Sequence, residues 1–415
     1  MDGTKRPKKA RKNYDPQSIV SQWLSAVPSE KTSRWRAQGH TEEALAASLP
    51  KRFMVYEPMV LFSPGAFAEP MWRVVLEECA IEEKEQLFKA ILGALSKVQK
   101  GEVTHLAINA GIPLYVSQEG GDSLGENVLR SPVEIITLHG NFGPDTSQSP
   151  PTAQDLEEAF WVSTKQNGIF QTWAPRHTMF SRGNITEKAR VLDFHGETQP
   201  AGLERRKKPS SELKGRWAVD LYAGIGYFVF SYAKRGMNVL CWEINPWSVE
   251  GLRRGALQNG WRVRVIQGQE LERPVAEVVG NEQIIVFVED NKKAWERIQC
   301  LRGHLGGLDV LHVNGGLLPT GKDTWQESWM MAASSTESWL HLHENVAEED
   351  IDKRRGEILE MFRTWAGEDR NQRRPEVEHV ERVKTIAPRV WHCVFDVYIT
   401  KLLPHVSKES QIEHE

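Results

Sequence analysis

The sequence predicts an α/β architecture: an open, mostly parallel sheet finished by an antiparallel hairpin, preceded by a smaller α+β domain. Three observations carry this. Strand-like apolar runs alternate with helix-like segments from Trp217 onward. A glycine turn joins the first of these strands to its helix, and the last two apolar runs stand only a few residues apart, around Pro388.

With 415 residues the chain exceeds what one hydrophobic core usually serves, so two domains are expected. Its 40% hydrophobic and 26% charged residues exclude a disordered or fibrous class. No apolar run approaches a membrane span, and the N-terminus lacks the apolar core of a secretory signal. Cys79, Cys241, Cys300 and Cys393 are far apart and form no CxxC pair. That argues against a disulfide framework or a zinc site and for a reducing, cytoplasmic setting. Neither a metal nor a membrane partner is expected.

The net charge of −4 does not by itself suggest nucleic acid, but its distribution is uneven. Residues 1–12, "MDGTKRPKKARK", hold six Lys or Arg against one Asp. Further clusters are Arg205, Arg206, Lys207 and Lys208, then Lys353, Arg354 and Arg355. Such patches can bind phosphates whatever the net charge. A terminal basic run can equally be a solvated tail or an import signal.

Along the chain, "SIVSQWLSAV" and "TEEALAASL" read as short helices and "FMVYEPMVLF" as a strand pair broken at Pro58. "IEEKEQLFKAILGALSKVQK" sets Leu87, Ile91, Leu95 and Val98 on one helical face. Between about 105 and 160 the chain is rich in turn residues, with strand-like pieces such as "VEIITL" and "FWVST". The expected organisation is a basic tail at 1–14, an α+β domain at 15–196, a polar linker or surface loop at 197–215 and a larger domain at 216–415.

In that larger domain "WAVDLY", "NVLCWE", "IIVFVED", "DVLHVN" and "WLHLHEN" are candidate strands of right-handed βαβ units. "VEHVERVKTIA" and "VWHCVFDVYI" are too close together to be joined as a parallel pair, so they form a hairpin at the sheet's edge. Parallel strands ending in such a hairpin define the class I, Rossmann-type fold of S-adenosylmethionine-dependent transferases.

"DLYAGIGYF" supplies Gly224 and Gly226 directly after a strand, where small residues allow the backbone to approach a ligand. Glu243 ends the next strand, at a spacing that suits a carboxylate accepting from both ribose hydroxyls. A dinucleotide site would want a third glycine, and that position holds Val229. The expected cofactor is therefore adenosyl but without a pyrophosphate, namely S-adenosyl-L-methionine.

"MFSRGNITEKARV", "NGGLLPTGKDTW", "VDLYAGIGYF" and "EINP" together resemble the wybutosine-synthesising tRNA aminocarboxypropyltransferases, over about 160 to 400. The match over the first half is weaker, with "NVLRSPVEIITLHGNFGP" similar to the fungal branch. The resemblance implies transfer of the 3-amino-3-carboxypropyl group to a carbon of 4-demethylwyosine in phenylalanine tRNA, with methylthioadenosine released. It implies cofactor contacts at Ser181, Lys188, Glu243, Asp290 and Asn291 beside the two glycines, and other enzymes of the pathway as candidate partners.

Each residue also has a plainer reading: Ser181 as a helix cap, Lys188 as an exposed partner of an acid, and Asp290–Asn291 as a turn. Two departures bear on the match. Glu289 stands where the family has glycine, and "RVRVIQGQELERPVAEVVGNEQ" separates the second and third strands by more than the family norm. In "NGGLLPTGKDTW", the glycines allow a flat base to approach, Pro319 stiffens the turn, and Asn314 and Thr320 offer hydrogen bonds. His341 and His343 alternate on one strand and read as sheet residues near the site. No proton acceptor stands out. The alternatives are a tRNA (guanine-N1)-methyltransferase of the same fold and a non-catalytic tRNA-binding module.

Overall fold

The computed structural model describes residues 15–99, 101–109, 115–117, 124–126, 135–144, 150–178, 180–332, 335–369 and 372–401. The basic run at 1–12 lies outside them, as does part of "NVLRSPVEIITLHGNFGP". The chain divides into two compact units, Met1–Thr164 with Thr172–Phe180, and Lys165–Gln171 with Ser181–Glu415. The division thus falls at Phe180–Ser181, which puts "GNITEK" in the second unit. The stretch 197–215 belongs to that unit too, with Leu203, Arg206 and Leu213 buried.

In the first unit a four-stranded sheet runs in the order Phe53–Tyr56, Met59–Phe62, His105–Ile108, Ile136–His139. The first two strands are the hairpin expected around Pro58. Leu87, Ile91 and Leu95 of the helix Ile81–Gln99 are buried in the core. Trp23 packs against Trp35 and Trp72 there, with ring centroids 6.0 and 5.9 Å apart. These tryptophans serve packing.

The second unit is built on eight strands: β1 (Trp217–Asp220), β2 (Asn238–Trp242), β3 (Val263–Ile266), β4 (Ile284–Phe287), β5 (Val310–Gly315), β6 (Glu337–Ala347), β7 (Arg373–Ala387) and β8 (Val390–Lys401). Their order is β3-β4-β2-β1-β5-β6-β8-β7. The first six run parallel, while β8 pairs antiparallel with β6 and with β7. Strands covered on both faces need continuous apolar runs, and every residue of β4 and β5 is buried. Each such Ile, Val or Phe removed from water contributes about 1.5–3 kcal/mol.

Five of the six parallel strands and the terminal hairpin stand where the sequence puts them. The sixth, β3, lies inside the stretch read as a spacer. It joins the far edge of the sheet, so β4 still pairs directly with β2. The insertion therefore leaves Asp290 and Asn291 at the end of the strand beside Glu243. No helix among the described residues is long and apolar enough to cross a membrane.

Candidate cofactor and acceptor-base site

The loop "LYAGIGYF" leaves β1 and turns into the helix α2 (Val229–Lys234). Gly226 has φ 87°, and a Cβ there would come within 2.6 Å of the Phe230 ring. Glycine is thus required both by conformation and by space. Glu243, just past β2, is partly buried inside this turn. Its Oε2 accepts from Gly224 N–H and its Oε1 from Asn245 N–H, both at 2.8 Å. Asn245 in turn caps the helix α3 (Pro246–Gln258) through its side chain, and Pro246 sits in the first turn, so "EINP" fixes where the chain leaves the sheet. Burial raises the Glu243 pKa against those backbone donors.

Asp220, the last residue of β1, was not singled out in the sequence. It is fully buried. Its Oδ1 accepts from Tyr222 N–H and Asn314 Nδ2, each at 3.2 Å, while Oδ2 has no hydrogen-bond partner among the described residues. Burial, with the Glu243 charge adding, pushes its pKa up to about 7. Asp220, fully buried, and Glu243, partly buried, lie beneath a loop with no basic side chain, so the turn offers no cation to a pyrophosphate. A sulfonium cofactor with an ammonium on its amino-acid tail fits this set: Glu243 for the ribose, the glycine turn for close approach, and the unpaired Asp220 oxygen for a donor.

Ser181 is not a side-chain cap; its N–H donates to the Tyr227 hydroxyl of the glycine loop at 2.9 Å. Lys188, on the helix α1 (Ile185–Leu192), is buried instead of exposed. It donates to Gln166 Oε1 and Gln171 Oε1, both at 2.6 Å, and its ammonium lies 5.5 Å from the Tyr227 ring centre. Burial brings its pKa down to about 8. Ser181 and Lys188 thus both lie against Tyr227 of the glycine loop. Asp290 Oδ1 accepts from Lys292 N–H, the plain turn role. Asn291 does more: its Nδ2 reaches across to Leu221 O at 2.8 Å, beside the half-buried Tyr222 hydroxyl. Glu289, the departure from the family pattern, is held by Arg297 at 2.8 Å in an ion pair and accepts from Trp242 Nε1.

On the proposed acceptor side, Asn314 is the penultimate residue of β5 and pairs in register with Asp220. Since its Nδ2 donates to Asp220, its Oδ1 must accept from His343 Nε2, 3.3 Å away. His343 Nδ1 then accepts from His392 Nε2 at 2.9 Å. The amide of Asn314 is thereby fixed from below. Pro319 O accepts from Asn345 N–H at 2.8 Å and Thr320 bridges to Glu344, which pins the following loop to β6.

His341 belongs to a second buried array. His195, His312 and His341 are linked in series, and His341 Nδ1 meets Asp396 at 2.7 Å. Asp396 is also gripped by Arg190 and Arg206 at 2.6 and 2.9 Å, which holds its pKa well below the carboxylate range. The array ties α1, and Lys188 with it, to the sheet.

The basic clusters prove to be internally answered. Arg205 pairs with Glu376, Arg206 with Glu378, Lys207 with Glu197 and Lys208 with Glu337. Arg354 pairs with Glu344, Arg355 donates to Val377 O, and Lys353 stands 3.9 Å from Glu357. Arg205, Arg206, Lys208, Arg354 and Arg355 thus brace the fold, whereas Lys207 and Lys353 stay largely exposed, Lys353 beside Glu357 of its own helix.

No protein-family model matches the chain. It is 38% identical over 352 residues to tRNA wybutosine-synthesizing protein 2 of Schizosaccharomyces pombe, spanning 84% of this chain and 72% of that one. Against the Saccharomyces cerevisiae protein of the same name it is 33% identical over 386 residues, spanning 84% and 74%. The crystal structure of Pyrococcus horikoshii TYW2 in complex with MeSAdo matches with a TM-score of 0.51 at 16% identity, covering 93% of this chain and 100% of that one. That likeness is one of fold; the fungal identities settle the family. The chain belongs to the tRNA wybutosine-synthesizing protein 2 family.

Proposed function

We propose that the chain is an S-adenosyl-L-methionine-dependent tRNA aminocarboxypropyltransferase of wybutosine biosynthesis. What supports this is membership of the family, shown by the fungal identities, with the glycine turn over Glu243 as the proposed adenosyl site. When bound, the cofactor supplies a sulfonium whose three adjacent carbons are electrophilic. Which carbon reacts depends on which one the residues around it hold in line, and such positioning can remove roughly 7–11 kcal/mol of barrier.

On this reading Glu243 holds the ribose, Gly224 and Gly226 allow the close approach, and Asn291 borders the adenine. Ser181 and Lys188 face the amino-acid tail. Asn314, with its amide fixed by Asp220 and His343, and the loop carrying Pro319 and Thr320 receive the acceptor base, 4-demethylwyosine of phenylalanine tRNA. The base would be flipped out of its strand to reach them.

A titration with S-adenosylmethionine, followed by single turnover on tRNA carrying 4-demethylwyosine, tests the proposal. Binding followed by modification of the nucleoside is expected. Binding without turnover would favour a non-catalytic tRNA-binding module.

A further inference from the structure

Lys384 lies on β7, in the terminal hairpin, and no motif points to it. Its ammonium is 3.1 Å from Asn184 Oδ1 and 3.5 Å from Ser181 Oγ. Its stem runs across the backbone at Gly183, where a Cβ would come within 2.9 Å of Cδ and 2.8 Å of Nζ. Glycine at 183 is what lets the lysine lie against the start of the "GNITEK" segment. Its register partner on β8 is His392, the last member of the chain that fixes Asn314. Lys384 therefore stands where the tail-binding and acceptor-binding segments meet.

Its electrostatic setting differs from that of neighbouring cations. Arg190, Arg206 and Arg354 are each paired with a buried acid, and Lys208 with a partly buried one. Lys384 is half-buried, burial alone lowers its pKa, and among the described residues it forms no ion pair. Two neutral oxygens take up two of its three N–H donors, and among the described residues no acid pairs with its charge, which is partly shielded from water.

We infer that Lys384, with Ser181 and Asn184, forms an oxyanion site for an incoming substrate. The anion is either the carboxylate of the group being transferred or a phosphate of the bound tRNA. This rests on the proposed function and adds a positioning residue to it; no bond is made or broken at Lys384.

The test uses the full chain carrying Lys384→Met or Lys384→Gln. Affinities are measured for S-adenosylmethionine, for methylthioadenosine (the same nucleoside without the carboxylate), and for the tRNA at several salt concentrations. A carboxylate site predicts about ten-fold weaker S-adenosylmethionine binding with methylthioadenosine unchanged. A phosphate site predicts weaker tRNA binding and a salt slope shallower by about one. Unchanged affinity for all three ligands at an unchanged Tm overturns the inference. So does an equal loss for both nucleosides with a lowered Tm, which would make Lys384 a brace of the fold. A wild-type chain that binds these ligands without transferring a group would defeat the proposed function while leaving this comparison readable.

Discussion

Asp220, fully buried, and Glu243, partly buried, give the proposed site its character. For Asp220 the folded-state pKa of about 7 lies above the ordinary value of 3.8, so the native chain keeps a proton that the unfolded one has released between those limits. Stability is therefore expected to fall as pH rises across that window, by about 4 kcal/mol in all. Urea denaturation at both ends of the window, on wild type and Asp220→Asn, checks this; an identical pH dependence in the variant would refute it. Glu243→Gln keeps one acceptor oxygen but loses the charge, and about ten-fold weaker S-adenosylmethionine binding by calorimetry is expected. Unchanged affinity would take Glu243 out of the site.

Among elements, the glycine turn and the α1 anchor do most to shape the site. Gly226→Ala drives a methyl into the Phe230 ring at a positive φ, and a loss of about 1–3 kcal/mol in denaturant unfolding is expected. Asp396→Asn leaves Arg190 and Arg206 short of a buried counter-charge, with about 3–5 kcal/mol lost. If that variant unfolds at the wild-type midpoint, the array is not what ties α1 to the sheet. The elements were legible wherever they were apolar throughout or alternated strictly: the glycine turn, five parallel strands and the hairpin. β3 was not, because it is a four-residue edge strand whose Arg264 interrupts the apolar run. The site was half legible. Gly224, Gly226 and Glu243 follow one another in a local motif. Asp220 meets Asn314 across 94 residues, Arg190 meets Asp396 across 206, and Lys384 meets Asn184 across 200. No pattern along the chain encodes such meetings.

At the scale of the whole molecule, every proposed cofactor and acceptor residue falls within the second compact unit. Its fold alone does not choose between moving a methyl and moving an aminocarboxypropyl group, since both chemistries start from the same sulfonium. Kinship with the wybutosine-synthesizing proteins of two fungi favours the second. The most direct test offers tRNA carrying 4-demethylwyosine with S-adenosylmethionine labelled either on the methyl or on the carboxyl carbon. Carboxyl label retained on the tRNA, with methylthioadenosine released, is the predicted result. Methyl label retained instead, with S-adenosylhomocysteine released, would contradict the account and make the protein a methyltransferase.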